Sequence, residues 1–395
     1  MTPDSTVRRV LIACGGTGGH LFPGLAVGRE LRARGVEVGL IVSPKEVDQR
    51  ALRGCDAGFE ALVLPAVGYS LRRLPVYLAM TFRGYRQALR AFRARRPDAL
   101  LAMGGFTAVA PVLAARRLGI RSYLHESNVI PGRANRWLAR LVDHGFTGFE
   151  AEAKAISRLP ARAVTVTGTP VRPEFRQTGL ADSAAARAAL GFDANRPLLL
   201  VMGGSQGAQG VNQWVTVSAP ALVARHPDLQ ICHLTGTADQ DSVHAAYAAA
   251  SIPARVLAFS DRMHILMAAA TVAVSRSGAS SLAEIAAVRL PAVLVPYPLA
   301  ADDHQRANAR VFVAAGAARM LDPVADGPGN LADAVSGLLS DAALRERFRN
   351  ALAGLDFPDA AARLADGVAG LVSDGLQCRT PGQGASWKHP HAEAA

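Results

Sequence analysis

The chain has 395 residues, of which 50% are hydrophobic and 19% charged, a composition that excludes a disordered chain. At roughly 150 residues per domain, this length indicates two domains rather than one. The four cysteines, Cys14, Cys55, Cys232 and Cys378, are far apart and show no metal-ligand spacing. We therefore expect neither a zinc site nor a disulfide framework, and we expect a reducing compartment.

Positive charge is concentrated in the first part of the chain. The formal net charge is +11, and residues 1–165 hold 25 Lys and Arg against 12 Asp and Glu. This asymmetry predicts a polyanionic partner, which charge alone leaves open between nucleic acid, anionic lipid and a phosphorylated substrate. No signal peptide is predicted at the N-terminus, and the uncharged stretch 99–115 is too short and too interrupted by glycine and proline for a transmembrane helix.

The first part of the chain alternates short apolar runs with helical periodicity. A strand is predicted over 7–14, a glycine-rich turn follows it, and helical spacing over 24–34 leads to a strand over 38–42. The pattern continues with a strand over 99–103, the pair Gly104 and Gly105, an apolar helix to Leu118 and a strand over 122–125. These β-α-β crossovers predict a parallel sheet.

The second part of the chain restarts the same scheme. An apolar run over 198–202 leads into the glycine-rich segment 203–208, as the first strand leads into 15–20. Further strands are predicted over 230–234, 255–258, 271–275 and 292–295. The fold class is therefore α/β, with two Rossmann-like domains. Ligands of such domains bind at the carboxyl ends of the strands, so a central cleft between them is the expected site.

The segment GGTGGH, residues 15–20, is the sharpest local signal. Glycines at a strand-to-helix turn let backbone N–H groups approach a phosphate or a sugar. A dinucleotide site is disfavoured because Leu21 takes the last position of GxGxxG, and a P-loop is disfavoured because no Gly-Lys-Ser/Thr is present. The alternative is a tight turn required only for packing. His20 is a candidate general base, and a role in orienting the substrate fits the sequence equally well.

The segment RSGASSLAE, residues 276–284, follows a predicted strand and opens an apolar helix. Ser277, Ser280 and Ser281 are candidate N-caps of that helix. Its N-terminal N–H groups could neutralise a diphosphate without a metal, and Glu284 could accept hydrogen bonds from a ribose diol. The alternative is an ordinary capped helix with a glutamate in its first turns.

Seven motifs occur in one order along the chain: GGTGGH at 15–20, MGG at 103–105, HESN at 125–128, GTPVR at 168–172, GGSQGA at 203–208, RSGASSLAE at 276–284 and DDHQRANA at 302–309. In this order they resemble the MurG family of transferases, which move N-acetylglucosamine from UDP-N-acetylglucosamine to undecaprenyl-diphospho-muramoyl-pentapeptide. The resemblance runs from about residue 10 to residue 372 and implies the GT-B fold. The chain departs from the family's HEQN and GNPVR at Ser127 and Thr169, which bears on fine geometry.

The resemblance implies a role for individual residues on both sides of the cleft. His20 is the implied catalytic base. The implied residues on the acceptor or sugar side are Thr17, Gly18, Gly19 and Asn128. The implied donor-binding residues are Arg172, Ser205, Ser260, Ala279, Ser280, Ser281, Leu282, Ala283, Glu284 and Gln305, with Glu284 on the ribose and Gln305 on the sugar. His304 could share the role of Gln305.

The implied reaction is a single inverting displacement in which the C4 hydroxyl of the muramoyl group attacks the anomeric carbon as UDP departs. We expect no cofactor and no essential metal, because no Asp-x-Asp pair stands at a comparable turn. Two alternatives remain: a GT-B transferase for another lipid, such as diacylglycerol, and a nucleotide-sugar binding protein without turnover.

The implied acceptor is a lipid, so the chain should reach a bilayer. Residues 69–86 combine apolar and aromatic side chains with four arginines and no acid, which predicts a patch that docks on an anionic membrane. A loop followed by a solvated basic helix is the alternative. No nucleic-acid motif accompanies the basic residues, so nucleic acid is not an expected partner. The expected location is the cytoplasmic face of the cell membrane.

The predicted domain organisation follows from these segments. Residues 7–168 form the first domain and 169–354 the second, with a boundary near two prolines in 169–173. A helix over about 355–373 is expected to pack back on the first domain. Residues 374–395 lose periodicity and are predicted to be disordered.

Overall fold

Two parallel β-sheets organise the computed structural model, which describes residues 7–46, 48–49, 58–65, 74–149, 163–178, 182–204 and 207–374. The first sheet has seven strands in the order β3-β2-β1-β4-β5-β6-β7 and the second has six in the order β10-β9-β8-β11-β12-β13. The strands of the first sheet are β1 (Arg9–Ala13), β2 (Glu37–Val42), β3 (Glu60–Val63), β4 (Ala99–Ala102), β5 (Arg121–Glu126), β6 (His144–Thr147) and β7 (Val164–Val166). Those of the second are β8 (Leu198–Met202), β9 (Gln230–Leu234), β10 (Ala254–Leu257), β11 (Val272–Ser275), β12 (Ala292–Leu294) and β13 (Ala318–Met320).

Helices cover both faces of each sheet, as parallel strands with right-handed crossovers require. Those up to the end of β7 are α1 (Gly18–Ala33), α2 (Leu74–Ala94), α3 (Val109–Arg117) and α4 (Arg133–Leu138). The others are α5 (Pro173–Thr178), α6 (Ser183–Ala189), α7 (Gln209–Arg225), α8 (Gln240–Ala249), α9 (Met263–Ala269), α10 (Ala279–Val288), α11 (His304–Ala314), α12 (Pro328–Ser340), α13 (Ala342–Leu355) and α14 (Ala360–Asp374). Within the described residues, no helix is long and apolar enough to cross a bilayer.

The central strands of both sheets are apolar runs whose residues are buried on both faces. In the first sheet, β1 and β4 are buried along their whole length, and in the second β8 and β11 are. The strand order reverses between β1 and β4 and again between β8 and β11. Each reversal opens a crevice at the carboxyl ends of the strands, where ligands of such sheets bind.

The last helix returns to the first sheet, so the chain crosses between domains twice. On α14, Leu364, Ala365 and Val368 are fully buried in the same cluster as Tyr123 and Phe146. We use "first domain" for the first sheet with its helices and α14, and "second domain" for the second sheet with its helices. Residues 375–395, the predicted disordered tail, lie outside the described residues.

Helix α1 begins at Gly18, six residues earlier than the sequence pattern predicts, and runs through Pro23. A proline inside a helix removes one i to i−4 hydrogen bond. The carbonyl that loses its partner is that of Gly19, which instead accepts a hydrogen bond of 2.9 Å from the Ser280 hydroxyl of the second domain. Helix α1 tolerates Pro23 because the Gly19 carbonyl, which has no partner within the helix, lies at the domain interface and is bonded there.

Candidate functional site

The two crevices face each other, and the predicted site residues of both domains lie around them. GGTGGH follows β1 and MGG follows β4, while the RSGASSLAE segment follows β11. The hydrogen bond between Ser280 and Gly19 joins the start of α10 to the start of α1. The candidate site therefore lies at the interface between the two domains.

The glycine turn after β1 is held from two sides by side chains of its own domain. A Cβ at Gly15 would lie 2.5 Å from the Ser43 nitrogen, so only glycine fits there. The Gly15 carbonyl accepts a 2.6 Å hydrogen bond from the Thr107 hydroxyl. The Gly16 N–H donates to the Asp48 carboxylate at 2.7 Å, and the Gly16 carbonyl accepts from the Lys45 ammonium at 3.1 Å. The polar backbone groups of this turn are thus largely used within the protein.

His20 is half-buried beside this turn. The Thr17 hydroxyl lies 3.1 Å from its Nδ1 and fixes the ring orientation, which leaves Nε2 as the other polar atom. A Cβ at Gly105 would lie 2.9 Å from the imidazole Cε1, so Gly105 makes room for the ring. Burial lowers the pKa of His20, against the opposing effect of the Glu126 and Asp48 carboxylates. The imidazole is therefore neutral near neutral pH, as a general base must be.

Glu126 is a hydrogen-bonding centre that the sequence reasoning missed. Its Oε1 accepts from the backbone and side-chain nitrogens of Asn128, each at 2.9 Å. Its Oε2 accepts from the Gly132 nitrogen at 3.0 Å and from Asn135 at 2.7 Å. Asn135 in turn accepts from the Gly105 nitrogen at 3.0 Å. Glu126 thus orients both Asn128 and the turn that packs on His20. The HESN motif could have indicated this role of Glu126, because a glutamate at the end of a buried strand needs several hydrogen-bond donors.

Asn128 links the two domains through Asn308, another residue whose role the sequence did not reveal. Asn308 is fully buried on α11 and its Nδ2 donates to the Asn128 side-chain oxygen at 3.2 Å and to the Ser277 carbonyl at 3.0 Å. Its side-chain oxygen accepts from the Val129 nitrogen at 2.9 Å. The predicted acceptor-side residue Asn128 is therefore bonded on both sides by the protein in this structure.

Arg172 and Glu284, predicted to hold different parts of a donor, lie side by side. The guanidinium Nη2 is 3.4 Å from Glu284 Oε1. The guanidinium carbon lies 4.2 Å from the ring centre of Phe22 and 4.8 Å from that of Phe175. Burial raises the pKa of Glu284, and Arg172 opposes that rise. The Arg172 Nε is buried without a hydrogen-bond partner among the described residues. The Arg172–Glu284 pair therefore leaves one N–H donor of the guanidinium without an acceptor.

The serines around the start of α10 do not cap it, so that prediction is wrong. Gly278 occupies the N-cap position, with extended backbone and no side-chain cap. Ser280 and Ser281 already stand inside the helix, and a residue there cannot cap its own start. The Ser277 hydroxyl donates to the Gln305 carbonyl at 2.8 Å, which ties α10 to α11, and Ser280 bonds to the first domain.

The remaining predicted donor residues lie on the same side of the cleft. On α10, Ala279 and Leu282 are buried and Ala283 is partly buried, so their side chains pack inward. The side-chain oxygen of Gln305 accepts from the Tyr297 nitrogen at 3.0 Å. Ser260 follows β10, and its hydroxyl accepts from the Arg262 nitrogen at 3.1 Å. Ser205 lies outside the described residues.

His304 is half-buried at the start of α11, with Nδ1 2.8 Å from the Ala301 carbonyl. Gly18 and Gly19 form the first turn of α1, where helical N–H groups have no i−4 partner.

Among the described residues, no three His, Cys, Asp or Glu side chains gather as a metal site would require. Cys14 and Cys232 are buried and free.

Both halves of the chain match known domains. Residues 10–147 match the glycosyltransferase family 28 N-terminal domain and residues 198–364 match its C-terminal domain. A protein of Acidithiobacillus ferrooxidans is 40% identical over 371 residues, which cover 89% of this chain and 95% of that protein. A protein of Gloeobacter violaceus is 37% identical over 366 residues, 90% of this chain and 96% of that one. Both carry the name UDP-N-acetylglucosamine--N-acetylmuramyl-(pentapeptide) pyrophosphoryl-undecaprenol N-acetylglucosamine transferase.

Solved structures agree with these matches. MurG of Acinetobacter baumannii is 26% identical, with a TM-score of 0.68 over 91% of this chain and 99% of that one. A UDP-GlcNAc 2-epimerase from Neisseria meningitidis, bound to UDP-GlcNAc, has a TM-score of 0.67 over 91% and 98% of the two chains. At 14% identity, the epimerase shows the shared fold alone.

Proposed function

The chain belongs to glycosyltransferase family 28, and from this premise we propose that it transfers N-acetylglucosamine from UDP-N-acetylglucosamine to N-acetylmuramyl-(pentapeptide) pyrophosphoryl-undecaprenol. The observation that carries the proposal is the meeting of GGTGGH and RSGASSLAE across the cleft, through Ser280 and Gly19. A base on one domain and a helix start on the other suit group transfer between two substrates, each held by one domain.

In the proposed mechanism, His20 removes the proton from the C4 hydroxyl of the muramoyl group. That oxygen attacks the anomeric carbon of N-acetylglucosamine, the bond to the UDP oxygen breaks, and the configuration inverts. Three features support His20: a neutral imidazole, a ring held by Thr17, and carboxylates nearby that favour the imidazolium product. Thr17, Gly18, Gly19 and Asn128 are proposed to line the acceptor side.

The donor is proposed to lie against the second domain, where positive charge and helix N-termini stabilise the departing diphosphate. Glu284 would accept from the ribose and Gln305 would contact the sugar. Arg172 would move from Glu284 toward the diphosphate, since its Nε lacks a hydrogen bond. Ser205, Ser260 and residues 279–284 complete the proposed donor site.

A UDP-release assay with UDP-N-acetylglucosamine and the lipid-linked muramoyl-pentapeptide tests this function. We expect turnover by the wild type, and loss of more than about a hundredfold in kcat for His20→Ala, since general bases contribute that much. Glu284→Ala should chiefly raise the donor Kd. Turnover with diacylglycerol instead would reassign the acceptor, and UDP-N-acetylglucosamine binding without turnover on either acceptor would indicate a binding protein.

We further propose that α2 docks on an anionic membrane surface, which would place the chain at the cytoplasmic face of the cell membrane. Residues 69–73 of the predicted patch lie outside the described residues, and 74–86 lie on α2. That helix buries Gly84, Ala88 and Phe92, whereas Leu78 and Phe82 are 56% and 60% exposed.

A groove of about 670 Å³ lies between the exposed face of α2 and α3. Leu78, Phe82 and Leu113 line it together with Arg116 and Arg117. Apolar side chains bordered by arginines suit insertion among lipid acyl chains beneath anionic headgroups, at about 1 kcal/mol per cation.

Sedimentation with vesicles of phosphatidylglycerol and phosphatidylethanolamine tests this surface. Leu78→Ser with Phe82→Ser should weaken binding about tenfold or more, since each side chain withdraws apolar area from water. Val217→Ser is a matched control, because Val217 is 63% exposed on the second domain. Equal binding by all three proteins would contradict the proposal.

A further inference from the structure

The carboxylate of Asp48 is a buried charged group beside the site, and the proposed mechanism gives it no positioning role. Asp48 is 0% exposed and follows β2. Its Oδ2 accepts from the Ser43 nitrogen at 2.9 Å, the Ser43 hydroxyl at 2.6 Å and the Gly16 nitrogen at 2.7 Å. Its Oδ1 is buried without a hydrogen-bond partner among the described residues. Burying a charge whose second oxygen is unbonded is costly, which indicates a purpose beyond packing.

A short series of contacts connects Asp48 to His20. Asp48 holds the Gly16 nitrogen, Gly16 has φ of +106° and precedes Thr17, and the Thr17 hydroxyl holds the imidazole. Lys45, from the same segment after β2, holds the Gly16 carbonyl. The segment after β2 therefore determines where the turn after β1 presents Thr17 and His20.

Asp48 also contributes charge. The charged and titratable groups that act on His20 are Asp48 and Lys45 after β2 and Glu126 and His125 on β5. Both carboxylates favour the protonated imidazole, whereas burial and Lys45 oppose it. A base that becomes an imidazolium during the reaction is stabilised by such fixed negative charge.

We propose that Asp48 is a positioning residue for the transfer reaction. It holds the glycine turn against the segment after β2, so that His20 is correctly placed, and it supplies negative charge for the imidazolium. This inference rests on the proposed function and assigns a role to a buried residue outside the proposed substrate-binding set. It also means that the Gly16 N–H is engaged by a carboxylate and is not offered to a phosphate.

The test compares Asp48→Asn with Asp98→Asn in the full chain. Asparagine keeps an oxygen for the three donors at position 48 but removes the charge. Asp98 is the matched control, because its carboxylate accepts from the Arg8 and Arg9 nitrogens at 2.9 and 2.8 Å at the opposite end of β1. Asp48→Asn should lower kcat about tenfold, since a base loses part of its 10²- to 10⁴-fold contribution when its charge partner is removed. Its donor Kd should stay at the wild-type value.

Two readouts separate this role from simple loss of structure. The acid limb of the kcat/KM profile, and the His20 titration followed by NMR, should both move to lower pH in Asp48→Asn and stay in place in Asp98→Asn. Ser43→Ala keeps the charge and removes one bond to Asp48, together with the 3.3 Å bond from the Lys45 nitrogen to the Ser43 hydroxyl. We therefore expect kcat to fall about threefold without a shift of the limb.

Wild-type kcat and an unmoved His20 titration in Asp48→Asn would overturn the inference. If Asp48→Asn does not fold, wild-type kcat in Ser43→Ala overturns it. The NMR titration does not need turnover, so a wild type that fails to release UDP refutes the proposed function and leaves the role of Asp48 to be decided by the titration.

Discussion

The crevice between β1 and β4 and the one between β8 and β11 are built on the same plan, with a glycine turn after the inner strand and a helix start beside it. Their charges differ. The first holds the Gly16 nitrogen with the carboxylate of Asp48 and places Glu126 near His20. The second holds the Gly207 carbonyl with the Arg276 guanidinium at 3.1 Å. The same fold thus forms one crevice whose negative charge favours an imidazolium and another whose positive charge favours an anionic group.

Removing the central carboxylate of the first crevice should have the largest effect. In Glu126→Gln, an NH2 group replaces one oxygen and faces either the donors of Gly132 and Asn135 or the two donors of Asn128, which leaves buried groups unpaired. We expect a loss of about 3 kcal/mol in stability or more, and a fall of about a hundredfold in kcat from the misplaced base. Denaturant unfolding and steady-state kinetics measure the two. Asp143→Asn is the control, since Asp143 accepts from the Ser122 nitrogen at the other end of β5. Equal losses in both would show that Glu126 is merely structural.

Acid should destabilise both domains through buried histidines, and one fully buried histidine in each domain gives a testable contribution. His125 on β5 and His233 on β9 are fully buried, and burial lowers the pKa of each to about 4. The unfolded chain binds these protons near pH 6.5 and the folded chain does not, so stability is complete above pH 6.5 and falls as the pH drops toward 4. Each histidine should cost about 2 kcal/mol between pH 7.5 and pH 5.

Guanidinium unfolding at those two pH values tests this effect. His233→Asn should be less stable than the wild type at pH 7.5, because Tyr247 and Asn212 lose a partner, but should show a smaller decrease on acidification. An unchanged pH dependence in that variant would contradict the assignment.

The positive charge of the second crevice should matter for the donor alone. Arg276 also stacks 4.5 Å from the Tyr297 ring centre, and burial lowers its pKa. Arg276→Met should weaken UDP binding about thirtyfold, near the 2 kcal/mol of a charged hydrogen bond, whereas Arg276→Lys should fall between it and the wild type. Calorimetry with UDP measures both. Wild-type UDP affinity in Arg276→Met would show that the positive charge of the second crevice does not contribute to UDP binding, and would contradict the proposed difference in charge between the crevices.

The rim of the cleft should have the smallest effect. Asp302 pairs with Arg136 and, at 3.4 Å, with Arg133, and the three side chains are between 30% and 72% exposed. Asp302→Asn suits the left-handed backbone at φ of +54° and should cost less than about 1 kcal/mol, because exposed ion pairs contribute little. The donor KM should change less than about threefold, and less still in high salt. A larger effect would contradict the view that the crevices, and not the rim, contribute most of the binding free energy of the donor.

The sequence predicted those parts of the fold that depend on local pattern. The bounds of β8 and β9 agree with the observed strands. In β8 the whole run is apolar and buried, which identifies a central strand. The strands β3, β6 and β13 were not predicted, since they are short and carry polar or exposed residues. The start of α1 was also misplaced, because the partner that compensates for Pro23 comes from a distant part of the chain.

The motif residues of the site were predictable, but their partners were not. Asp48 lies 32 residues from Gly16, and Asn308 lies 180 residues from Asn128, so neither pairing leaves a local pattern. Ser280 was wrongly predicted as an N-cap because serine and glycine both occur at N-cap positions. The sequence does not show which of them adopts the N-cap backbone conformation, and in the structure it is Gly278. These contacts form because the tertiary fold brings distant residues together, and the spacing of residues in the sequence does not encode that proximity.

The proline in α1 has a consequence for how the enzyme completes a cycle. Because Pro23 cannot donate, the Gly19 carbonyl is bonded by Ser280 in this structure, and water would replace Ser280 in any arrangement that separates the two helix starts. Exchanging one partner for the other changes the free energy by only about 1 kcal/mol. This link therefore aligns the two helix starts without adding a strong bond to those that Asn308 makes between the domains, so substrate entry and UDP release need not work against it.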